Sequence, residues 1–249
     1  MATTDDLAPL LRQLRLAGLL QTMDIRTRQA VDDNMSHHEF LLRLLSDEVE
    51  RRQQKQLELR LRRASFENAK SLEDFNWSFN ASFPKAKIIK LSNCRFVDGH
   101  ENVILVGPTG VGKSHIAQAL GMRACMLGHS VLNTTTREML CQLRAARADD
   151  SLEKRMQKFT RADLLILDDL GLQPLHTGEP EDLYEVIRRR YERGSIIVTS
   201  NRDIKEWYPL FGDQLLASAA LDRLLHHGHV VVIEGGSYRN PPSAGRIGK

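Results

Sequence analysis

The first part of the chain repeats apolar residues at helical spacing. Between residues 7 and 23 leucines recur every three or four positions, which predicts one amphipathic helix. A second helix is predicted from Ser36, because Ser36 and Glu39 form a capping-box pair and residues 40–49 continue one apolar stripe. Each helix has an apolar face that needs a partner. The pattern therefore predicts a helical domain over residues 1–64, which we expect to serve oligomerisation or partner binding.

Residues 48–63 are strongly charged, with acidic and basic side chains intermixed. A run of this kind is typical of a solvated helix face. A basic arm that contacts nucleic acid or a partner is the alternative, and the pattern leaves both open.

From residue 102 onward, short apolar runs alternate with helical stretches, which is typical of a parallel sheet covered on both faces. The sequence therefore predicts an α/β domain over residues 98–234 with a five-stranded parallel sheet flanked by helices. Residues 65–97 lack a period and are predicted to be a linker, and residues 235–249, rich in Gly, Pro and Ser, a flexible tail. The predicted strands are 103–106, 131–134, 164–167, 196–199 and 230–233.

Composition narrows the class of protein. A chain of 249 residues with 41% hydrophobic content has room for one sizeable core and a smaller module. The net charge of +3 decides nothing about partners. Three widely spaced cysteines indicate neither a disulfide framework nor a paired-cysteine zinc site. No leader-like or membrane-length apolar segment is present, so we expect a cytoplasmic protein.

One glycine-rich segment carries the clearest chemistry. It follows a predicted strand, precedes a predicted helix and has the spacing G-x-x-x-x-G-K-S, which is the context of a phosphate-binding loop. Its backbone N–H groups and the helix N-terminus favour phosphate, its lysine neutralises the β and γ phosphates of ATP, and its serine is a ligand for Mg²⁺. The predicted nucleotide-binding residues are Gly107, Pro108, Thr109, Gly110, Val111, Gly112, Lys113 and Ser114.

Two adjacent carboxylates, Asp168 and Asp169, end the third predicted strand. A phosphate-loop site needs a carboxylate at the neighbouring strand end to hold Mg²⁺, and Asp168 meets that need. Adjacent residues of an extended chain point to opposite sides, so Asp169 need not share this task. It either orients or deprotonates the attacking water, or it caps the next turn. Asn201, at the tip of the following strand, offers a neutral amide to the water or the γ phosphate.

The linker aromatics Phe75, Trp77, Phe79 and Phe83 have two interpretations. They either pack the linker onto the main domain or form the wall of an adenine pocket. The sequence pattern leaves both open.

Residues near the last strand include one arginine and three histidines. Arg223 is either a cation at a helix C-terminus or an arginine finger that acts on the ATP of a neighbouring subunit. His226, His227 and His229 lie close together, but no cysteine or acid stands at metal-site spacing beside them, so the sequence predicts no metal centre there.

Four blocks together resemble AAA+ ATPases of the DnaC and IstB kind, and most closely the IstB-type transposition helpers of insertion sequences. The blocks are "NVILVGPTGVGKSHIAQALG", "LLILDDLGLQPL", "EVIRRRYERGSIIVTSN" and "ALDRLLHHGHVVVIEGGSYR". The resemblance implies an ATPase that assembles on duplex DNA as a homo-oligomer, with ATP at subunit boundaries, and assists a transposase in target capture. It also implies that Asp168 is the Walker B ligand, Asn201 is sensor 1 and Arg223 is the arginine finger.

The same resemblance implies a helical element for DNA contact after the second strand, within residues 134–163. Lys and Arg contacts to phosphates give affinity without sequence specificity. The candidates are Arg137, Arg144, Arg147, Lys154, Arg155 and Lys158.

Two features depart from the family pattern. The acidic pair is Asp-Asp, whereas most AAA+ proteins have Asp-Glu, and the shorter second acid suits a slow switch better than a fast motor. The stretch after residue 233 is too short for a full helical lid, so Arg239 is only a weak candidate for sensor 2.

Two other functions share parts of this pattern. A DnaC-type loader of a replicative helicase, with a preference for single-stranded DNA, is the main alternative. A small-molecule kinase with a phosphate loop is a third possibility, but the sequence offers no acceptor pocket for it.

Overall fold

The computed structural model describes residues 4–68, 70–80 and 83–238. The chain divides after Leu59 into two compact units. No helix among the described residues is long and apolar enough to cross a membrane.

The N-terminal unit is built from α1 (Thr4–Gln13), α2 (Ala17–Asp32) and α3 (His37–Ala64), the last of which continues past the division. The single helix predicted over residues 7–23 is wrong, because the chain turns between α1 and α2. Arg15 takes the left-handed conformation there (φ 58°). The turn allows side chains of all three helices to meet in one small core, formed by Leu11, Leu19, Met23 and Leu44.

A hydrogen bond supports the start of α3, and ion pairs support its interior. The predicted cap is confirmed in part, since the Glu39 N–H donates to Ser36 Oγ at 3.2 Å. Further along, the buried Glu48 carboxylate accepts from Arg51 at 3.3 Å and from Arg52 Nε at 2.6 Å. Part of the charged run is therefore neutralised within α3, and the rest of its role stays a prediction.

The second unit contains a five-stranded sheet with order β2-β3-β4-β1-β5, and every adjacent pair is parallel. All five predicted strands are confirmed, with ends that shift by three residues or fewer. The elements are α4 (Lys85–Leu91), α5 (Arg95–Asp98), β1 (Val103–Val106), α6 (Lys113–Met126), β2 (Val131–Thr135), α7 (Thr136–Ala148), α8 (Leu152–Thr160), β3 (Leu164–Leu170), α9 (Glu179–Arg190), β4 (Ser195–Ser200), a 3₁₀ helix (Ile204–Phe211), α10 (Gln214–Leu225) and β5 (His229–Val232).

Helices cover both faces of the sheet, as predicted. Alternate strand residues such as Ile104 and Leu165 join a core with side chains of α7 to α10 and the 3₁₀ helix. On the other face α6 packs so closely that a Cβ at Gly121 would lie 2.6 Å from Ile166 Cδ1. Because apolar residues are buried on both sides, the strands read as continuous apolar runs. Because the strands are parallel, the carboxyl ends of β1, β3 and β4 lie at the same edge of the sheet.

The segment predicted as a linker is more ordered than its sequence pattern indicates. It contains α4 and α5, and it contributes buried side chains to the second unit. Irregular spacing of apolar residues hid these short helices, since four to seven residues are too few to establish a period. The buried apolar members are Phe75, Phe83, Ile88, Leu91, Cys94, Phe96 and Val97.

A buried arginine donates hydrogen bonds to several backbone segments at the amino edge of the sheet. Arg190, the last residue of α9, has no exposed surface, and burial lowers its pKa to about 10. Its guanidinium remains charged at neutral pH and donates at 2.7–3.1 Å to four backbone carbonyls. These belong to Phe159, Ala162, Asp163 and Ser195.

Candidate functional site

The predicted phosphate loop lies between β1 and α6. Gly107 (φ 152°) and Gly112 (φ 100°) adopt backbone conformations that other residues rarely take. A Cβ at Gly107 would lie 2.0 Å from the Ile233 carbonyl oxygen, and one at Gly112 would lie 2.7 Å from the Phe75 ring. The surroundings of this loop leave no room for side chains at either position. Gly112 also caps α6, whose N-terminus therefore opens toward the loop.

Lys113 is 5% exposed, and its ammonium group points back into the loop. Its Nζ donates to the carbonyls of Gly107 at 2.9 Å and Pro108 at 2.8 Å, and also to Asn201 Oδ1. The structure thus brings together the lysine of one block and the amide of another, 88 residues apart. An ammonium held at the mouth of a phosphate loop neutralises anionic oxygens that enter it.

Ser114 and Asp168 also meet, as predicted. Ser114 Oγ donates to Asp168 Oδ1 at 2.9 Å, which places two hard oxygen ligands side by side. The same carboxylate oxygen accepts from Thr199 Oγ1, and the Asp168 carbonyl accepts from Thr136 Oγ1 at 3.1 Å. Mg²⁺ prefers oxygen ligands, so the pair Ser114 and Asp168 fits this metal.

Asp169 departs from the prediction that neighbouring residues of an extended strand point to opposite sides. β3 contains one extra residue between Leu167 and Leu170 relative to β4, and Asp169 takes a left-handed conformation (φ 57°). A β-bulge of this kind changes the direction in which the following side chains point. Asp168 and Asp169 consequently line the same cavity, of about 550 Å³.

Thr199 is the residue that sequence reasoning missed in this cluster. Its hydroxyl is fully buried, donates to Asp168 and accepts from the Asp169 N–H at 3.0 Å. One side chain of β4 therefore holds both acids of β3. The sequence placed Thr199 at a strand end beside Asn201, but strand order, which decides that β3 and β4 are neighbours, was needed to assign the contact.

The cavity has an aromatic wall. Phe75 contacts Trp77 and Phe83, with ring centroids 4.9 Å apart in both cases, and it lies 5.2 Å from the His115 ring. Tyr238 lies 5.5 Å from Phe75, and its N–H donates to the Gly110 carbonyl at 2.9 Å. Phe75, His115 and Tyr238 are the members of this cluster that line the cavity. The aromatics therefore mainly pack on one another and on the loop, and Tyr238 was not predicted.

Arg223 does not lie in this cavity. It occupies the last turn of α10, just before β5, and therefore lies at the amino edge of the sheet, whereas the phosphate loop follows β1 at the carboxyl edge. Its guanidinium stacks over Tyr184 at 5.6 Å and Tyr191 at 5.8 Å, and Nη1 donates to the Ala219 carbonyl at 2.8 Å. The geometry excludes Arg223 from the nucleotide pocket of its own chain.

The six candidate DNA contacts fall on α7 and α8, and they divide into two groups. Arg144 pairs with the buried Glu179 carboxylate at 3.3 Å, and Arg147 pairs with buried Asp182. These arginines neutralise acids of α9. The other four are exposed, and Arg155 and Lys158 share Gln142 Oε1 as acceptor at 3.5 and 3.2 Å. That group consists of Arg137, Lys154, Arg155 and Lys158. Arg239 lies outside the described residues.

Comparison with known proteins settles the family. The family model of IstB-like ATP-binding proteins matches residues 9–244. The chain belongs to this family. It is 38% identical over 234 residues to a Pseudomonas aeruginosa protein named for ATP binding in insertion sequence IS21, covering 94% of this chain and 88% of that protein. A Mycobacterium tuberculosis relative, also named for ATP binding in an insertion sequence, is 40% identical over 237 residues, covering 95% and 94%.

Solved structures confirm the predicted fold of this IstB-like protein. The DnaC helicase loader matches with a TM-score of 0.57 at 21% identity, covering 66% of this chain and 96% of that chain. DnaA of Aquifex aeolicus with bound AMPPCP matches with a TM-score of 0.57 at 21% identity, covering 71% and 54%. The chain therefore shares the fold of these DnaC and DnaA structures.

Proposed function

We propose that this IstB-like protein is an ATPase that assembles on duplex DNA and helps a partner transposase of its insertion sequence to capture a target. Family membership supports ATP binding and the insertion-sequence setting. The observation that carries hydrolysis is the convergence of Lys113, Ser114, Asp168, Asp169 and Asn201 on one cavity. Such a set contains every protein group that hydrolysis of a γ phosphate needs within one chain.

Each residue has a separate role in this proposal. Lys113 leaves the carbonyls of its own loop and binds the β and γ phosphates, while Asn201 orients the water or the γ phosphate. Ser114 and Asp168 hold Mg²⁺, which when bound neutralises charge on the phosphate oxygens. Asp169 positions the attacking water or accepts its proton, because the bulge turns its carboxylate toward the cavity.

Substitutions separate the two acids. Asp168→Ala removes a metal ligand, so productive use of Mg²⁺ and ATP is lost. Asp169→Asn keeps size and shape but not the base, so ATP binding persists while hydrolysis stalls. ATP binding by equilibrium titration and phosphate release on the same samples distinguish these effects. A normal hydrolysis rate in Asp169→Asn would move the role to another acid. Glu179 is the next candidate, although its carboxylate already accepts from the His176 N–H at 2.8 Å.

Arg223 acts on the nucleotide of a neighbouring copy in this proposal. Its position at the opposite edge from its own phosphate loop supports action in trans. Mixing provides a sharp test, because Lys113→Ala retains the arginine and Arg223→Ala retains the loop. Each variant alone is inactive. Mixed oligomers recover hydrolysis if the finger works across a boundary, and remain inactive if Arg223 serves its own chain. Removal of such an arginine costs about 10³- to 10⁵-fold in rate where it has been measured.

The proposed DNA contact uses the exposed cations of α7 and α8. Lys154→Ala and Lys158→Ala each remove a phosphate contact, so affinity falls and the salt dependence of log K decreases by about 1 per residue. Arg123→Ala, an exposed cation on α6, is the matched control and leaves binding unchanged. Duplex DNA is expected to bind more tightly than single strands. The reverse preference would favour the helicase-loader alternative.

Nucleotide controls assembly in this proposal, since a ligand shifts an equilibrium only when it binds the two states differently. Size analysis on duplex DNA with ATP, ADP and a non-hydrolysable ATP analogue tests the switch. We expect large assemblies with ATP and the analogue and smaller species with ADP. Equal assembly in all three states would refute a nucleotide switch while leaving ATP hydrolysis untouched.

A further inference from the structure

A second group of ligand-type side chains lies at the amino edge of the sheet, away from the phosphate loop. Glu192 follows α9, and His226 and His227 follow α10. The three exposed side chains offer one carboxylate oxygen and two imidazole nitrogens, all within 4.8 Å of one another. The sequence hid this group, because the acid and the histidines are far apart along the chain. Packing therefore brings the histidines an acid that spacing along the sequence does not show.

Two packed helices carry these side chains. α9 and α10 pack on each other through buried residues such as Val186 and Leu221. The turns that follow them present Glu192 (φ 56°) and His227 (φ 57°) in the left-handed conformation, which is uncommon outside glycine. Ligands carried on the ends of packed helices keep their separation without a bound ion.

Tyr191 supplies an outer hydrogen bond of the kind that orients metal-binding imidazoles. Its hydroxyl lies 2.8 Å from His226 Nδ1, which leaves Nε2 of this ring available as a ligand. The phenol is therefore a hydrogen-bond partner of His226.

We propose that Glu192, His226 and His227 bind a Zn²⁺-type transition-metal ion. Two imidazoles and one carboxylate are a set that Zn²⁺ takes with a fourth position left for water. Mg²⁺ prefers an all-oxygen set, so it belongs to the carboxyl-edge site and not to this one. Zn²⁺ holds such ligands at about 2.0–2.2 Å, so binding requires the three ligand atoms to move closer together than their present spacing of up to 4.8 Å.

The surrounding charges limit the affinity of this site. Arg223 stacks on Tyr191, and Arg193 lines the cleft on the outer side of the same turn. Arg188 is also close, but it is paired with Glu185 at 2.7 Å. Two nearby cations oppose a divalent ion, so we expect binding weaker than that of closed structural zinc sites.

A bound ion would join the ends of α9 and α10, just after Arg223. This connection restricts the last turn of α10 and, through Tyr191, the guanidinium stacked on it. Any effect on the trans action of Arg223 rests on the proposed function. Binding itself does not, because it is measured without nucleotide or DNA.

The test uses the full chain after chelator treatment, with Zn²⁺ as the titrant and excess Mg²⁺ present to occupy the carboxyl-edge oxygens. Calorimetry is expected to give one Zn²⁺ per chain, and Co²⁺ is expected to give the visible absorption of a tetrahedral site. His226→Ala and Glu192→Gln each weaken binding by roughly tenfold or more, and Tyr191→Phe weakens it less. Glu192→Gln changes an exposed turn, so it tests the proposal even if a histidine variant fails to fold.

The matched control is the double variant His37→Ala with His38→Ala, because it removes another exposed pair of adjacent histidines. It is expected to bind Zn²⁺ as the original chain does. Absence of Zn²⁺ binding, unchanged affinity in both His226→Ala and Glu192→Gln, or loss of binding in the control pair would each overturn the proposal. Normal ATP hydrolysis in Glu192→Gln with lost Zn²⁺ binding supports it as a site separate from the ATPase centre.

Discussion

Thr199→Val replaces a hydroxyl with a methyl group of nearly the same volume in a buried strand. Valine suits β4, so backbone conformation and packing are retained. The change removes the donor to Asp168 Oδ1 and the acceptor for the Asp169 N–H, which is 3.0 Å from Thr199 Oγ1. Thr199 has no exposed surface, so water cannot take the place of its hydroxyl, although Asp168 and Asp169 also face the cavity.

The size of the effect follows from these two hydrogen bonds. A hydrogen bond to a charged group contributes about 1.5–3 kcal/mol, and a buried N–H left without a partner costs about 1–3 kcal/mol. Asp168 keeps its contact with Ser114, which lowers the sum. We expect a loss of about 2–3 kcal/mol in the free energy of unfolding of the second unit. For a unit of this size that corresponds to a fall in Tm of roughly 4–12 °C.

The functional effect is expected in the metal step. In the proposed function Asp168 holds Mg²⁺, and loss of a hydrogen bond that supports such a ligand weakens metal affinity or activity by roughly 10- to 100-fold. The apparent Mg²⁺ requirement for hydrolysis should rise, while ATP binding without Mg²⁺ stays near the original value because the phosphate loop is intact. Thr199→Ser is the matched control. It keeps the hydroxyl, loses one methyl group worth about 0.8 kcal/mol, and should retain hydrolysis.

The assays are thermal unfolding and phosphate release over a Mg²⁺ series at fixed ATP. If Thr199→Val hydrolyses ATP with the original Mg²⁺ dependence, the hydroxyl does not position Asp168. If Thr199→Ser loses as much activity as Thr199→Val, the methyl packing and not the hydroxyl is responsible.

Three further predictions concern the loop, the amino edge and pH. Gly107→Ala should abolish ATP binding, since its Cβ would lie 2.0 Å from the Ile233 carbonyl oxygen. Gly128→Ala is the control, because no atom lies within 4 Å of its Cβ and the change costs only local backbone strain. Nucleotide titration compares the ATP affinity of the two variants. Arg190→Met leaves several buried carbonyls without a hydrogen-bond donor. Urea unfolding should therefore show that the free energy of unfolding falls by at least about 3 kcal/mol. Arg26 binds the Asp47 carboxylate and lowers its pKa to about 2. Its stabilisation is present above about pH 4 and is lost as the pH falls toward 2, which acid unfolding of the original chain and Asp47→Asn would reveal.

Local pattern was sufficient for much of the fold. Buried parallel strands must be apolar on both sides, so β1 to β5 stood out as short apolar runs, and the glycine spacing of residues 107–114 allows few other structures. The turn at Arg15 was missed because the leucine pattern of α1 and α2 continues across it. Helical spacing alone cannot show where a helix ends and another begins.

The carboxyl-edge site divides in the same way. Lys113, Ser114, Asp168 and Asn201 could be found from sequence, because each stands at a loop or strand end of recognisable chemistry. The sequence could not show that Asp168 and Asp169 line the same cavity. That arrangement depends on a β-bulge, which is set by the pairing between β3 and β4.

The sequence by itself determined the strands of the sheet and the residue types at their ends, because both follow from spacing and side-chain chemistry over short distances. Only the tertiary structure decided which of these residues meet. Sheet order placed Thr199 under both acids and Arg223 at the opposite edge, and helix packing brought Glu192 to two histidines far along the chain. Contacts between distant segments arise from packing of whole elements, which no local pattern records.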